Sequence, residues 1–174
     1  MIIGIVAVDR QGAIGKDGKL PWHYSADMKH FKETTIGHAC VMGRRTWLTL
    51  KKPLKERLNI VLSRQSEIHD GKDRGTGELG NRGMVQDSVI TLKDMESVLS
   101  LARYLHCDLF VIGGAQVYRS FLPYIEKWIV TEVPLTVEGA DVFVPDDYLN
   151  GFTKTESKKI GEDLAVSYYV RTSV

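Results

Sequence analysis

One carboxylate stands among apolar side chains in a short helix predicted over residues 25–35. Asp27 and Phe31 are four residues apart, so both side chains lie on one face of that helix. Ser25 is the expected N-cap, because its hydroxyl can accept a hydrogen bond from an otherwise unpaired backbone N–H. Two interpretations of Asp27 stay open. It stabilises the helix N-terminus as a first-turn acid, or it is a partly buried carboxylate at the floor of a ligand pocket.

Cationic and hydroxyl side chains follow two predicted strands. The strand over 38–42 runs into Gly43-Arg44-Arg45-Thr46, which opens a helix, and the strand over 58–62 ends at Ser63-Arg64. Helix N-terminal N–H groups and guanidinium forks favour anionic oxygen, although the first motif alone is equally consistent with a solvated arginine pair. Ligands of open α/β sheets collect at the carboxyl ends of strands, so the second strand end favours a phosphate site.

A glycine pair follows a third apolar strand, over 108–112. Gly113 and Gly114 let the backbone approach a ligand closely, and the helix that starts after them suits a diphosphate. The pair by itself is also consistent with a tight strand-to-helix turn. Because the G-x-G-x-x-G signature is missing from this turn, an ordinary Rossmann domain is disfavoured.

The surrounding pattern predicts the elements that position these groups. Residues 2–8 form a continuous apolar run, typical of a strand buried on both faces in a parallel sheet, and residues 9–19 form a surface loop whose length indicates a mobile lid. Residues 91–94 resemble a capping box before an apolar helical stripe, and 137–145 is a loop. Alternating residues at 152–156 and 165–170 predict a terminal antiparallel hairpin. The fold class is α/β, a single domain over 1–174. Its mostly parallel sheet has about eight strands, with about four helices flanking both faces.

Composition narrows the function classes. The chain has 174 residues and a net charge of +1, which gives no footprint for nucleic acid or for a membrane surface. No apolar run is long enough to span a bilayer, and the N-terminus lacks a basic signal region.

Cys40 and Cys107 are expected to be free thiols in a reducing cytosol, and the histidine spacing gives no support for a metal site. Residues 65–83 are expected to be a glycine-rich surface insertion, with a small hairpin ending near Met84-Val85.

Taken together, these motifs follow one another in a specific order: Ile5-Val6-Ala7-Val8, Ile14-Gly15-Lys16-Asp17-Gly18-Lys19-Leu20-Pro21-Trp22, Asp27 with Phe31, Val41-Met42-Gly43-Arg44-Arg45-Thr46-Trp47, Pro53-Leu54 with Arg57, Asn59-Ile60-Val61-Leu62-Ser63-Arg64, Val111-Ile112-Gly113-Gly114-Ala115-Gln116-Val117-Tyr118, and Thr131. In this order they resemble the dihydrofolate reductase family, from the first strand to the terminal hairpin. The resemblance implies an oxidoreductase that transfers a hydride from NADPH to C6 of 7,8-dihydrofolate, with protonation at N5 promoted by Asp27. The tetrahydrofolate formed would supply one-carbon metabolism, and antifolates would inhibit the enzyme. A cytoplasmic monomer with residues 38–106 as an adenosine-binding subdomain is expected.

The resemblance also implies residue roles, and a lid over residues 9–24 that closes over the cofactor. The residues expected to act in catalysis are Asp27, Leu20, Trp22, Thr131 and Tyr118. Those expected to bind the substrate are Ile5, Val6, Asp27, Phe31, Leu50, Leu54, Arg57, Ile112 and Thr131. Those expected to bind the cofactor are Ala7, Ile14, Gly15, Gly43, Arg44, Arg45, Thr46, Leu62, Ser63, Arg64, Ile112, Gly113, Gly114, Ala115, Gln116, Val117 and Tyr118. No metal ligand is expected.

Some residues depart from the family pattern. Gln116 stands where some members carry a basic residue near the diphosphate, and the loop at Gly139-Ala140-Asp141 carries an extra residue, which puts its pairing with the lid in question. His30 is expected at the rim of the pocket. Two alternatives stay open: a pyrimidine reductase of the riboflavin pathway, which would not need Asp27 together with Arg57, and a non-catalytic nucleotide-binding module, which would lack the pocket acid.

Overall fold

The computed structural model describes residues 1–65, 88–161 and 163–172. The surface insertion predicted over 65–83, apart from Gln65, and the hairpin predicted near Met84-Val85 lie outside these residues. Within the described ranges, none of the helices combines the length and the apolar character that crossing a bilayer requires.

Ten strands and four α-helices make up the described chain. The strands are β1 (Ile2–Val8), β2 (Ala13–Gly15), β3 (Ala39–Gly43), β4 (Leu58–Leu62), β5 (Val89–Leu92), β6 (Leu109–Val111), β7 (Lys127–Glu132), β8 (Val142–Phe143), β9 (Phe152–Lys159) and β10 (Ala165–Arg171). The helices are α1 (Ser25–Thr35), α2 (Arg44–Thr49), α3 (Met95–Ala102) and α4 (Ala115–Phe121), and a 3-10 turn (Leu122–Tyr124) follows α4.

Eight of these strands form one sheet in the order β5-β4-β3-β6-β1-β7-β10-β9. The first six run parallel, and β10 is antiparallel to both β7 and β9. Strand β1 therefore lies in the middle, between β6 and β7, which explains its continuous apolar run: both faces are covered. The predicted α/β class, the mostly parallel sheet and the antiparallel C-terminal hairpin are confirmed.

Each face of the sheet carries its own hydrophobic cluster. Val6 and Val8 of β1 pack with the first cluster, around Trp128 and Phe121, while Ile3 and Ile5 pack with the second, around Met42 and Trp47. This division follows from the pleat, since successive side chains of a strand point to opposite faces. The side chains on the two faces of β1 therefore pack into different hydrophobic clusters.

Three local predictions were wrong. Tyr24, with an extended backbone, is the N-cap of α1, and Ser25 is already helical. Asp94 caps α3 by accepting a hydrogen bond from the N–H of Ser97, because Thr91 is drawn into β5 by pairing with β4. The segments predicted as loops over 9–19 and 137–145 contain β2 and β8, which pair with each other. At the start of α3 and at β2 and β8, pairing with residues distant in sequence overrode the local signals.

Gly4 is required by the packing of Trp128. A Cβ added at Gly4 would lie 2.4 Å from two atoms of the fully buried indole, too close for any side chain. We expect Gly4→Ala to lower the free energy of unfolding by about 3 kcal/mol, because a rigid buried ring between strands has little room to move. Urea denaturation measures the change. Gly161→Ala is the matched control: its Cβ would meet Ala26 at an ordinary 3.4 Å, so a loss as large as that of Gly4→Ala would contradict this explanation.

Candidate active site

Several candidate site residues lie at the carboxyl ends of adjacent parallel strands. Because β4, β3, β6, β1 and β7 are parallel and adjacent, their carboxyl ends lie side by side in that order. Neighbouring strands are about 4.8 Å apart, so the distance from the end of β4 to the end of β1 is about 14 Å. An extended ligand can therefore cross this edge and contact several strand ends at once.

Asp27 is half-buried in the first turn of α1, directly opposite Thr131 of β7. The Thr131 hydroxyl donates a 2.7 Å hydrogen bond to Oδ1 of Asp27, and the threonine side chain is only 3% exposed. Burial raises the pKa of Asp27 above its ordinary value, while the hydrogen bond from Thr131 and the charge of His30 oppose that rise. The carboxyl group thus keeps its proton to a higher pH than an exposed aspartate.

Tyr118 of α4 is buried beneath the end of β6. Its hydroxyl donates a 2.8 Å hydrogen bond to the carbonyl oxygen of Ile5, and burial together with the nearby Asp27 raises its pKa far above the ordinary range. Gly113 lies over the ring with φ +107°, and a Cβ there would approach the ring to 3.0 Å. Tyr118 is therefore held neutral, as a hydrogen-bond donor to the backbone of β1.

Most of the apolar residues that the sequence predicts for the substrate pocket pack against one core cluster. Four partly buried residues pack against the second core cluster together with Ile5, namely Phe31, Leu50, Leu54 and Ile112. Val6, predicted to belong to the same wall, packs instead in the first cluster on the opposite face of β1. The reason is again the alternation of side chains along a strand. The structure thus brings five of the six predicted apolar residues together.

Arg57 is fixed at the far end of α1. It is 5% exposed, its Nη1 donates to Oγ1 of Thr35 at 2.9 Å, and its Nε donates to the carbonyl oxygen of Lys55. The guanidinium also lies 5.9 Å from the centre of the Phe31 ring. Since an α-helix rises 1.5 Å per residue, Asp27 and Thr35 are about 12 Å apart along the helix axis. The helix thus has a carboxyl group at one end and an arginine at the other.

Three glycines form a cradle between β3, β6 and the helices that follow them. The Gly43 N–H donates to the carbonyl oxygen of Gly113 at 2.8 Å, and the Gly113–Gly114 peptide bond is cis, a feature the sequence did not predict. A Cβ at Gly43 would meet Val117 at 3.2 Å, and one at Gly114 would lie 3.6 Å from Oγ1 of Thr46. The cradle is therefore kept open by the lack of side chains, beside the N-termini of α2 and α4.

Cationic side chains are placed at the next two strand ends. Arg44 and Arg45 are exposed directly after β3, and Arg64 is exposed just beyond β4. Between them, Ser63 is buried, and its hydroxyl accepts a hydrogen bond from the N–H of Gln65. The register pairs Gly43 with Leu62, so the two groups lie side by side, as the sequence predicts from the parallel strands. Three guanidinium groups beside an open backbone cradle suit an anionic ligand with several phosphates.

The predicted lid is tied to the loop that precedes β8. Asp141 accepts a hydrogen bond from the Asp17 N–H and donates its own N–H to the carbonyl oxygen of Gly15. The extra residue in the 139–141 loop therefore does not prevent pairing with the lid. Trp22 is 8% exposed and packs with Val133 and Leu164, whereas Leu20 is 47% exposed. The lid is anchored at its base and open to solvent at its tip, beside a cleft of about 860 Å³ lined by residues 16, 17, 19–23 and 135–138.

Asp9 is a structural residue of the lid that the sequence analysis treated as part of a charged surface loop. It is 4% exposed and accepts 2.8 Å hydrogen bonds from the N–H groups of Gln11, Ala13 and Val137. Burial alone raises its pKa, but these bonds outweigh burial and hold the pKa below the ordinary value. Its position directly after β1, in an otherwise glycine-rich turn, is the only sequence signal for this role.

Asp9→Asn tests this connection between the two loops. The amide can accept at one oxygen only, so we expect a loss of about 2 kcal/mol in unfolding free energy at pH 7. The folded pKa of Asp9 lies below its unfolded value, so its contribution is complete above the unfolded pKa and is lost as pH falls through the folded pKa. The difference between the two proteins should therefore shrink in acid. Denaturation at pH 7 and at pH 3 measures it, and a difference that does not change with pH would contradict the assignment.

The family model described as dihydrofolate reductase matches residues 1–173. A dihydrofolate reductase of Mycobacterium leprae is 37% identical over 87% of this chain and 87% of its own length, and one of Haemophilus influenzae is 33% identical over 81% and 76%.

A solved structure gives the same result for the fold. The dihydrofolate reductase from Enterococcus faecalis, complexed with NADP(H) and RAB-propyl, superimposes with a TM-score of 0.82 at 28% sequence identity. The match covers 99% of this chain and 97% of the Enterococcus chain. The likeness thus extends over the whole sheet, including the edge at which the candidate site lies.

Proposed function

This chain belongs to the dihydrofolate reductase family, and we propose that it reduces 7,8-dihydrofolate to tetrahydrofolate with NADPH, with Asp27 promoting protonation at N5. The observation that carries the finer proposal is the 2.7 Å hydrogen bond between Thr131 and Asp27 inside an apolar wall. Burial raises the pKa of this carboxyl group above its ordinary value, and the hydrogen bond from Thr131 holds it in one orientation.

The two ends of α1 fit the two ends of the substrate. At one end, Asp27 would accept hydrogen bonds from the 2-amino group and N3 of the pterin ring, which fixes the ring for reaction. At the other end, about 12 Å along the helix, Arg57 would pair with the α-carboxylate of the glutamate tail. Phe31 lies between them and would pack against the middle of the substrate, with Leu50 and Leu54 on the opposite side.

The sheet edge fits an extended dinucleotide. Arg44, Ser63 and Arg64 would bind the 2′-phosphate, while Arg45, Thr46 and the glycine cradle would bind the diphosphate. We propose that residues 38–106, which include β3, β4 and β5 at one end of the sheet, form the adenosine-binding part. Ala7 and Ile14 would hold the nicotinamide amide near Tyr118. Bound along this edge, NADPH supplies a hydride.

The chain's own residues prepare the site for that chemistry. Thr131 holds the Asp27 carboxyl group toward the pocket, and Tyr118 keeps the backbone of β1 in place through Ile5. The lid, anchored by Asp9 and Trp22, would close over the cofactor and exclude water, with Leu20 at its exposed tip. A drier pocket strengthens the interaction between the Asp27 proton and the developing charge at N5.

The activity itself is tested by following NADPH absorbance at 340 nm. We expect oxidation of NADPH that depends on added dihydrofolate. Binding of NADPH without turnover of dihydrofolate would favour a nucleotide-binding module or a pyrimidine reductase instead. The monomeric state, the cytoplasmic location and the lack of nucleic-acid partners stay predictions from sequence.

Arg44→Ala tests the assignment of the 2′-phosphate. We expect KM for NADPH to rise about tenfold, while KM for NADH, which lacks that phosphate, changes less than about twofold. Arg45→Ala is the matched control. Both cofactors have the diphosphate, so loss of this contact should raise KM for NADPH and KM for NADH by the same factor. Steady-state kinetics with each cofactor measure these KM values. An equal rise in KM for NADPH and NADH in Arg44→Ala would contradict the assignment of Arg44 to the 2′-phosphate.

A further inference from the structure

Thr35, the last residue of α1, is completely buried and contacts the side chain of Arg57. Its hydroxyl donates a 2.7 Å hydrogen bond to the carbonyl oxygen of Phe31, one turn earlier in the helix. The same hydroxyl oxygen accepts a 2.9 Å hydrogen bond from Nη1 of Arg57. Because the hydroxyl proton is used in the bond to Phe31, a lone pair of the oxygen is directed at the guanidinium group.

Two hydrogen bonds to different parts of the fold set the plane of the Arg57 guanidinium group. Nε donates to the carbonyl oxygen of Lys55, in the same loop as Arg57, at 2.9 Å, while Nη1 donates to Thr35 of α1. A guanidinium group is planar and rigid, so bonds at two of its nitrogens fix the direction of the whole fork. The bond to Thr35 therefore ties that direction to the position of α1.

Other groups hold the backbone around Arg57. The fully buried amide of Asn59 accepts from the N–H of Leu54 at 2.9 Å, and it donates to the carbonyl oxygens of Leu54 and Arg57 at 3.0 Å and 3.1 Å. The N–H of Gly37, just beyond α1, donates to the carbonyl oxygen of Glu56 at 2.9 Å. Removing the threonine hydroxyl should thus leave this loop in place and change the orientation of the guanidinium fork.

We propose that Thr35 is a positioning residue for the acidic tail of the substrate, because it aligns the Arg57 fork with the Asp27 end of the pocket. The proposal rests on the proposed function, in which Arg57 and Asp27 bind the two ends of one molecule. Asp27 and Thr35 lie near opposite ends of one helix, about 12 Å apart along its axis. The helix therefore fixes the spacing between the two binding groups, which favours a substrate whose carboxylate lies at that distance from its ring.

Thr35→Val replaces the hydroxyl with a methyl group of similar size, so it removes the bond to Arg57 and keeps an apolar side chain in the same place. We expect its KM for dihydrofolate to rise about tenfold, because the fork no longer points at the tail carboxylate. Its KM for 6-methyl-7,8-dihydropterin, which has no tail and binds about 12 Å away, should stay within about twofold of the parent value. Thr35→Ser retains the hydroxyl and should restore the KM for dihydrofolate. A purely structural role would instead change KM for both substrates.

A double-mutant cycle shows whether Thr35 acts through Arg57. In the Arg57→Leu background, Thr35→Val should cause no further rise in KM for dihydrofolate, because no guanidinium group is left to orient. Ser120→Ala is the matched control, since the Ser120 hydroxyl also donates to a carbonyl oxygen one turn earlier, that of Gln116 at 2.9 Å, on the exposed side of α4. This control should leave KM for both substrates unchanged. Additive effects of Thr35→Val and Arg57→Leu overturn the proposal.

A second measurement does not depend on turnover. In ¹H–¹⁵N spectra of the ligand-free enzyme, the Nε–H signal lost in Arg57→Leu identifies Arg57. We expect this signal to shift in Thr35→Val and to keep its parent position in Thr35→Ser. A shifted signal in a protein that does not reduce dihydrofolate would uphold the positioning of Arg57 by Thr35 and overturn the proposed function. An unchanged signal in Thr35→Val, an unchanged KM for dihydrofolate, or an equal loss with both substrates overturns the proposal.

Discussion

Asp27→Asn should lower the rate of NADPH oxidation at pH 7.5 by about a hundredfold or more, because a positioned general acid contributes about 10²–10⁴ in rate. Asparagine keeps the size of the side chain and can still accept from Thr131, whose hydroxyl lies 2.7 Å away. Only the transferable proton is lost. The variant should recover part of its rate as pH falls, where the substrate arrives already protonated.

The stability of this variant separates a role in function from a role in folding. The folded pKa of Asp27 is raised above its unfolded value, so the folded state binds more protons between these two values. Stability therefore falls as pH rises through that window, and ionised Asp27 opposes folding at neutral pH. We expect Asp27→Asn to be at least as stable as the parent at pH 7.5. A variant that unfolds more easily, or whose rate has the pH profile of the parent, would contradict the role of Asp27.

Arg57→Leu should raise KM for dihydrofolate about thirtyfold and leave KM for NADPH within about twofold. A charge-assisted hydrogen bond is worth about 1.5–3 kcal/mol, and the fork of Arg57 is held in place by Thr35 and Lys55. Arg57→Lys keeps the charge without the planar fork, so its KM should lie between those of the parent and the leucine variant. Steady-state kinetics at saturating NADPH measure both.

A substrate without the tail gives the control for Arg57. With 6-methyl-7,8-dihydropterin, which keeps the reacting ring and has no glutamate, the parent and Arg57→Leu should have the same KM. Arg57 is buried and hydrogen-bonded, so the leucine variant is expected to lose some stability, and the comparison of two substrates on one protein removes that effect. An equal rise in KM for both substrates would show that Arg57 shapes the pocket and does not bind the tail.

Much of the fold was predictable because its signals are local. The apolar run of β1, the strand ends at Gly43 and Ser63, and the hairpin of β9 and β10 all lie where composition and alternation placed them. The misplaced cap of α3 and the missing β2–β8 pair have one cause. Each depends on a partner distant in sequence, such as β4 for Thr91 of β5, and no window of neighbouring residues contains that information.

Some features of the candidate site could likewise be predicted from the sequence, and others could not. Residue types at strand ends indicated an anion site, because parallel strands bring their carboxyl ends to one edge whatever their order. The position of Val6 on the opposite face from Ile5 required knowing which face of β1 meets α1. The burial of Asp9 required knowing that the 135–137 loop covers it.

By itself, the sequence determined the class of fold, the groups able to bind phosphate, and the presence of one carboxylate on an apolar helix face. It left open whether Asp27 is a helix-capping acid or a pocket acid. Only the tertiary structure decided that Asp27 meets Thr131, 104 residues away, and that Tyr118 bonds to Ile5, 113 residues away. The reason is physical: the pKa of a carboxyl group is set by burial and by neighbouring dipoles and charges, and these come from whatever the folded chain brings to its side.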